Sequence, residues 1–292
     1  MNKVLITGSG PAGISASLYL ARAGIDVTVV SAGRSSLEKA DKIENYFGFA
    51  QPISGRELLE NGKAGAKRLG VKFRDAEIVD LRLTEEMKYE AFTPTDSSIY
   101  DCVLLATGSQ RKTPDIKGLK EFEGKGVSYC AICDAFFHRG KPTAVIGNGD
   151  YALHEAEILA RTSSCVTILT NGSHPEYKSE VRDNIWVNEK KILEIAGKNK
   201  TEYIIFDDNS RIEVSGIFIA VGTAGSTELA KKIGAAVDGN HIAVDKNMAS
   251  TIPGLYAAGD CTGGLLQISK AVSDGANAAM SIIKYLKSEN NK

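Results

Sequence analysis

Two glycine-rich turns constrain this chain more than any other feature. Gly8-Ser9-Gly10-Pro11-Ala12-Gly13 follows the apolar run Val4–Thr7 and precedes a helix-like run, Ile14–Ala23, with Gly24 as its stop. Val27–Val30 reads as the next strand. The pattern returns once: Thr143–Ile146, then Gly147-Asn148-Gly149-Asp150-Tyr151-Ala152, then a helix over Ala152–Thr162 and a strand over Cys165–Thr170. Glycines in such a βαβ turn permit a tight bend and close backbone approach, and the helix N-terminus favours a pyrophosphate. One such turn is weak evidence. Two, each flanked by strand and helix, predict an α/β chain with two Rossmann-like, three-layer ββα dinucleotide-binding domains.

The rest of the chain fits that frame. Val71–Tyr100 has strand character broken by a turn at Thr93-Pro94-Thr95-Asp96-Ser97. Asp101–Gly108 reads as a buried strand ending in a small-residue turn, and Ser109–Gly126 as a domain crossover rich in Lys, Gly and Pro. Ile217–Val221 closes the second unit, and a helix is expected over roughly Leu266–Leu286. The 292 residues suffice for two ordinary domains. A net charge of −1 gives no bulk argument for nucleic acid or an anionic membrane. No apolar run reaches the roughly 18 residues of a spanning helix. The N-terminus runs straight into a strand without a signal-peptide core, so a cytoplasmic protein is expected.

Five cysteines are too few and scattered for a secreted disulfide framework, and with four histidines they complete no zinc site. Cys102 and Cys165 lie in apolar strand-like runs and are expected to be buried and inert. Cys130-Ala131-Ile132-Cys133, followed by Asp134, is different. Two intervening residues at a helix start let two sulfurs close a small ring. Exchange then needs one thiolate to attack and the second thiol to resolve. The alternative is a pair of neighbouring structural cysteines. His138 is a second candidate base, for which a packing or surface role is the simpler expectation.

The linear order of GSGPAG, Ile43-Glu44-Asn45-Tyr46-Phe47-Gly48, Leu105-Ala106-Thr107-Gly108, the CxxCD, GNGDYA and Tyr256–Asp260 resembles the low-molecular-weight thioredoxin reductase family over nearly the whole chain. That resemblance implies a homodimer. It also implies an FAD domain made of both chain ends (1–112 and 241–292) with a CxxC-bearing domain (113–240) inserted in it. It assigns Gly8, Gly10, Pro11, Ala12 and Gly13 to the FAD pyrophosphate, and places Asn45, Gln267 and Ile268 near the isoalloxazine. Ala76, Thr107 and Gly108 would line the FAD site, and Asp260 would meet its ribityl–phosphate region. Cys133 would face the flavin, Cys130 would attack the partner disulfide, and Asp134 would carry the thiol proton. No metal is implied.

The second turn departs from the family. NADPH needs cations for its 2′-phosphate just past the second strand, where NADPH-dependent members carry a His and several Arg. Here Asn171-Gly172-Ser173-His174-Pro175-Glu176-Tyr177 follows, with Lys178 the first Lys and Arg182 the first Arg. Tyr151 and His154 replace the usual Ser and Glu, and a Tyr at the helix start would obstruct a pyrophosphate. The chain is therefore most similar to the ferredoxin-dependent flavin thioredoxin reductases, which lack this clamp. That implies thioredoxin as substrate and reduced ferredoxin as donor. The acidic donor would dock on basic residues such as Lys39, Lys42, Arg111, Lys112 and Lys117. An NADPH-dependent reductase with an atypical nucleotide site, a flavin dithiol oxidase and a flavin redox sensor stay open as alternatives.

Overall fold

The computed structural model describes residues 1–32, 35–108 and 113–289. The chain folds as two compact units, Met1–Gln110 with Gly225–Lys292, and Arg111–Ala224.

The first unit opens with β1 (Lys3–Thr7), α1 (Pro11–Arg22) and β2 (Asp26–Ser31), as the first glycine turn predicts. Helix α2 (Gly55–Arg68) follows, then β3 (Lys72–Asp75). An antiparallel meander of β4 (Asp80–Leu83), β5 (Tyr89–Phe92) and β6 (Ser97–Tyr100) leads into β7 (Cys102–Leu105). Helix α2 was not evident from the sequence, yet its ends are well specified. Ser54 Oγ accepts the Glu57 amide at 3.1 Å, and Lys67 and Arg68 occupy the last turn.

The second unit is one continuous segment. It contains β8 (Val127–Ser128), the single turn α3 (Ala131–Asp134), β9 (Pro142–Ile146), α4 (Asp150–Leu159) and β10 (Cys165–Leu169). Next come β11 (Ile185–Asn188), a meander of β12 (Ile192–Ala196), β13 (Tyr203–Phe206) and β14 (Arg211–Glu213), and β15 (Gly216–Ile219). The chain then completes the first unit with α5 (Ser226–Lys232), β16 (Val237–Asp238), β17 (His241–Ile242), β18 (Leu255–Ala257) and α6 (Ile268–Glu289).

The two main sheets are parallel throughout and share a topology. Their orders are β18-β7-β1-β2-β3 and β8-β15-β9-β10-β11. In both, the βαβ unit is central and the strand after the meander returns beside its first strand. The sequence repeat is thus a repeat of the whole ββα unit. Val4, Leu5, Ile6 and all of β7 are fully buried. Such continuous apolar runs suit parallel strands covered on both faces. In the first unit, small residues let α1 pack closely on α6, with Ala16, Leu20, Ala278, Ala279 and Ile282 in the shared core. Among the described residues no helix is long and apolar enough to cross a membrane.

Several boundaries move relative to the sequence reading, beginning with α1, which starts at Pro11 rather than Ile14. Helix α4 begins at Asp150, so the second turn is shorter than expected. Residues 225–240, expected in the inserted unit, belong to the first. Helix α5 explains why: its buried Lys232 donates to the Val79 carbonyl at 2.8 Å and faces Asp80 of β4 at 3.9 Å. Asp80, fully buried, also accepts from Arg82 Nε at 2.9 Å. Removing one member of such a buried charge group leaves the others uncompensated. Asp80→Ala is expected to lower stability by ~3–5 kcal/mol, read by denaturant unfolding.

Candidate functional site

The first glycine turn is a cradle that side chains would fill. Gly8 has φ 103°, and a Cβ there would lie 2.3 Å from the Ala106 carbonyl oxygen. A Cβ on Gly13 would lie 2.1 Å from the Gly8 oxygen. Gly10 is the N-cap of α1, and among the described residues the only heavy atom near its Cβ position is Ser35 Oγ at 3.9 Å. No side chain caps α1, Pro11 stands at its start, and its first turn holds no acid. These are the features of an anion site at a helix N-terminus. Thr7, immediately before the turn, has a buried hydroxyl without a partner among the described residues. The residues present therefore fit a dinucleotide. Ser31, where many dinucleotide folds carry an acid for the ribose, donates its hydroxyl to Ser9 Oγ at 3.0 Å.

The residues assigned to the flavin by resemblance come together from both chain ends. Asn45 Nδ2 donates to Gln267 Oε1 at 3.1 Å, both exposed, beside Ile268 at the start of α6. Ala76 is buried just past β3, its amide on the Ser31 carbonyl. Asp260 begins a short 3₁₀ turn after Gly259 (φ 83°). Both polar groups of Gly259 are held from α6: its N–H donates to Asp274 Oδ2 at 3.1 Å, and its carbonyl accepts from Lys270 Nζ at 2.9 Å. Lys270 and Asp274 pair at 2.7 Å one turn apart. Thr107 adds a structural role. Its Oγ1 accepts the Ser226 amide at 2.8 Å and its own amide donates to Ser226 Oγ at 3.0 Å, fixing the start of α5; Gly108 follows with φ 81°. Ser226, Lys270 and Asp274 escaped the sequence reading. An i,i+4 Lys–Asp pair at the head of a helix was the only available signal.

In the second unit, Cys130 and Cys133 are joined as a disulfide. Cys130 is the N-cap of α3 and is buried; Cys133, the third residue of that turn, is exposed. Ser128 links the attacking position to the proposed acid. Its Oγ accepts the Cys130 amide at 3.1 Å and donates to Asp134 Oδ2 at 2.6 Å. The Ala131 amide donates to Glu155 Oε2 at 2.8 Å. Neither Ser128 nor Glu155 carries a spacing signal that marks it in the sequence. His138 is buried, edge-on to Phe218, with Nδ1 2.9 Å from Ser215 Oγ. It is a packing residue. Burial holds its imidazole below the ordinary value, against the pull of Asp134.

The other cysteines are not equivalent. Cys102 and Cys261 are both fully buried, and burial pushes both thiols up, Cys261 to about 11. Cys165, expected buried, is only partly covered.

The second glycine turn is closed by its own chain. Glu176 donates its amide to the Asn148 carbonyl at 2.7 Å, and Gly149 and Glu176 form a bridge. Asp150, in the first turn of α4, accepts the Lys178 amide at 2.7 Å. Asn171 is in the left-handed region (φ 52°) with Oδ1 on the Ile192 amide at 2.8 Å, so its side chain serves the fold. Tyr151, at the start of α4, is buried at 2% exposure. Arg182 pairs with Glu157 at 3.1 Å. Of the expected basic docking residues, Lys42 pairs with Glu44 at 2.8 Å and Lys117 with Glu194 at 3.0 Å. Lys39 is exposed, while Arg111 and Lys112 lie outside the described residues.

Two outcomes are expected. Gly13→Ala should abolish co-purifying flavin, read from visible absorbance, because its Cβ meets backbone rather than a movable side chain. His138 stabilises the fold as neutral imidazole. That contribution is present above the ordinary value of 6.5 and is lost as pH falls through the depressed folded value. The drop in Tm between pH 7.5 and pH 5 should therefore shrink in His138→Gln.

Comparison with known proteins places this geometry. The sequence profile described as pyridine nucleotide-disulphide oxidoreductase matches residues 2–275. A thioredoxin reductase from Aquifex aeolicus (strain VF5) is 33% identical over 299 residues, covering 97% of this chain and 93% of the relative. Among solved structures, the atypical thioredoxin reductase TRi from Desulfovibrio vulgaris Hildenborough superposes with a TM-score of 0.93 at 38% identity, covering 99% of each chain. A ferredoxin-flavin thioredoxin reductase from Clostridium acetobutylicum gives 0.70 at 32% identity, again over 99% of each. The chain belongs to the pyridine nucleotide-disulphide oxidoreductase family, among its flavin-dependent thioredoxin reductases.

Proposed function

We propose that this protein reduces the disulfide of thioredoxin through FAD and the Cys130–Cys133 couple, with reduced ferredoxin rather than a nicotinamide as donor. The observation that carries the choice of donor is the second glycine turn. Residues 171–177 hold no Lys or Arg, their chain bridges back onto the turn, and Arg182 is engaged by Glu157. Residues 171–177 offer a 2′-phosphate neither Lys nor Arg, whereas α1 has no side-chain cap among the described residues. The similarity to a ferredoxin-flavin thioredoxin reductase supports the same donor. A homodimeric, cytoplasmic enzyme belongs to this proposal.

Bound FAD supplies the conversion of single electrons into a pair. Gly8, Gly10, Pro11, Ala12 and Gly13 would hold its pyrophosphate, with Asp260, Thr107, Gly108, Ala76, Asn45, Gln267 and Ile268 as the other residues that would bind it. Two electrons and two protons convert the Cys130–Cys133 disulfide to two thiols. The Cys130 thiolate then attacks one sulfur of the thioredoxin disulfide, forming a mixed disulfide and expelling a thiolate that takes up a proton. Cys133 attacks Cys130, restores the internal disulfide and releases reduced thioredoxin. Asp134, tethered by Ser128, takes and returns the thiol proton. Cys130 is buried in the disulfide form, so its attack requires it to become accessible after reduction.

Anaerobic bleaching of the flavin tests the donor. Reduced ferredoxin should bleach it rapidly and oxidised thioredoxin should restore the colour, while NADPH and NADH leave it yellow. Rapid bleaching by NADPH would overturn the choice of donor. Cys133→Ser and Cys130→Ser should each keep flavin and lose thioredoxin reduction; normal turnover by either would remove the dithiol from the mechanism.

A further inference from the structure

The couple is fixed from α4, the helix that follows the closed glycine turn. Ala131, between the two cysteines, donates its amide to the Glu155 carboxylate at 2.8 Å. Glu155 is 1% exposed. Burying a carboxylate is costly, and this one is spent on the amide that starts the turn carrying both sulfurs. We propose that Glu155 is a positioning residue for the redox couple: it fixes the CxxC turn through the Ala131 amide and holds the Cys130 thiol protonated after reduction. The inference rests on the reading of Cys130–Cys133 as the turnover couple.

An amide at the start of a turn favours a thiolate beside it. Here that amide is committed to an anion, and a buried negative charge near the N-cap disfavours a second one. The other ionisable groups packed around α3 do not reverse this. Asp134 on α3 is itself anionic and reaches the Cys130 amide through Ser128. Burial keeps His138 neutral. On α4, Asp150 accepts the Lys178 backbone amide, Glu157 pairs with Arg182, and His154 is the other ionisable group next to Glu155 in the chain. Reduction therefore adds two electrons and two protons and leaves two neutral thiols. The reduced couple is slow toward stray electrophiles and oxidants until a docked partner draws the proton away.

The test uses the full-length flavoprotein, reduced and then alkylated with iodoacetamide over a pH series in a Cys133→Ser background that isolates Cys130. Glu155→Gln keeps an acceptor for Ala131 but removes the charge. Its alkylation midpoint should fall by about one pH unit, a tenfold gain in thiolate at neutral pH. Glu155→Asp should stay near the parent. An unmoved midpoint in Glu155→Gln, or an equal shift in Glu155→Asp, would overturn the proposal. If Glu155→Gln does not fold, the wild-type couple still decides. Its potential should follow two protons per two electrons up to at least pH 8.5, the ordinary thiol range; a one-proton slope at neutral pH would overturn it. Normal thioredoxin turnover by Cys130→Ser and Cys133→Ser would sink the underlying function instead. Inactive Ser variants with an unmoved Glu155→Gln midpoint would sink this inference alone.

Discussion

Backbone-to-backbone contact around Ala12 is the constraint on which the first unit depends. Gly13 closes the turn onto Gly8, and Gly259 brings the Asp260 loop within contact of the Ala12 side chain. Gly275 lets α6 pass so close that a Cβ there would lie 2.1 Å from the Ala12 carbonyl oxygen. The Gly259 loop and α6, both from the far end of the chain, therefore converge on the first turn of α1. Side chains larger than hydrogen would hold them apart by more than a rotamer change can absorb.

The second unit repeats the topology but spends its turn differently. Its α4 also starts from a glycine N-cap, yet its first turn carries Asp150, and the segment after β10 folds back to meet it. The same architecture thus yields an open cradle in one copy and a closed turn in the other. What α4 retains is a structural hold on the CxxC turn through Glu155.

Local pattern carried much of this into the sequence. The β1-α1-β2 and β9-α4-β10 units follow from apolar runs and glycine spacing, because backbone geometry there dictates residue type. Helix α2 was missed because its interior, Gly62 and Gly65 among lysines and glutamates, breaks the apolar periodicity. The domain boundary was misplaced because α5 is assigned by long-range bonds, Ser226 to Thr107 and Lys232 to β4, that no composition shift announces. Within the site, the cysteines and glycines were legible by spacing. Ser128, Glu155, Lys270 and Asp274 were not, because each acts on a backbone group distant in sequence or without a motif.

The division of the chain also fixes an order of assembly. Residues 111–224 form a complete unit on one uninterrupted segment, so that unit can close as soon as it has been synthesised. The first unit cannot. Its edge strand β18, the Gly259–Asp260 loop and Gln267 arrive only with the final stretch of polypeptide. Until then β7 lacks its outer neighbour and α1 lacks α6. The glycine turn near the start of the chain and the Gly259–Gln267 stretch near its end therefore share one unit only once the whole polypeptide is present, whereas the unit that carries Cys130 and Cys133 draws on residues 111–224 alone.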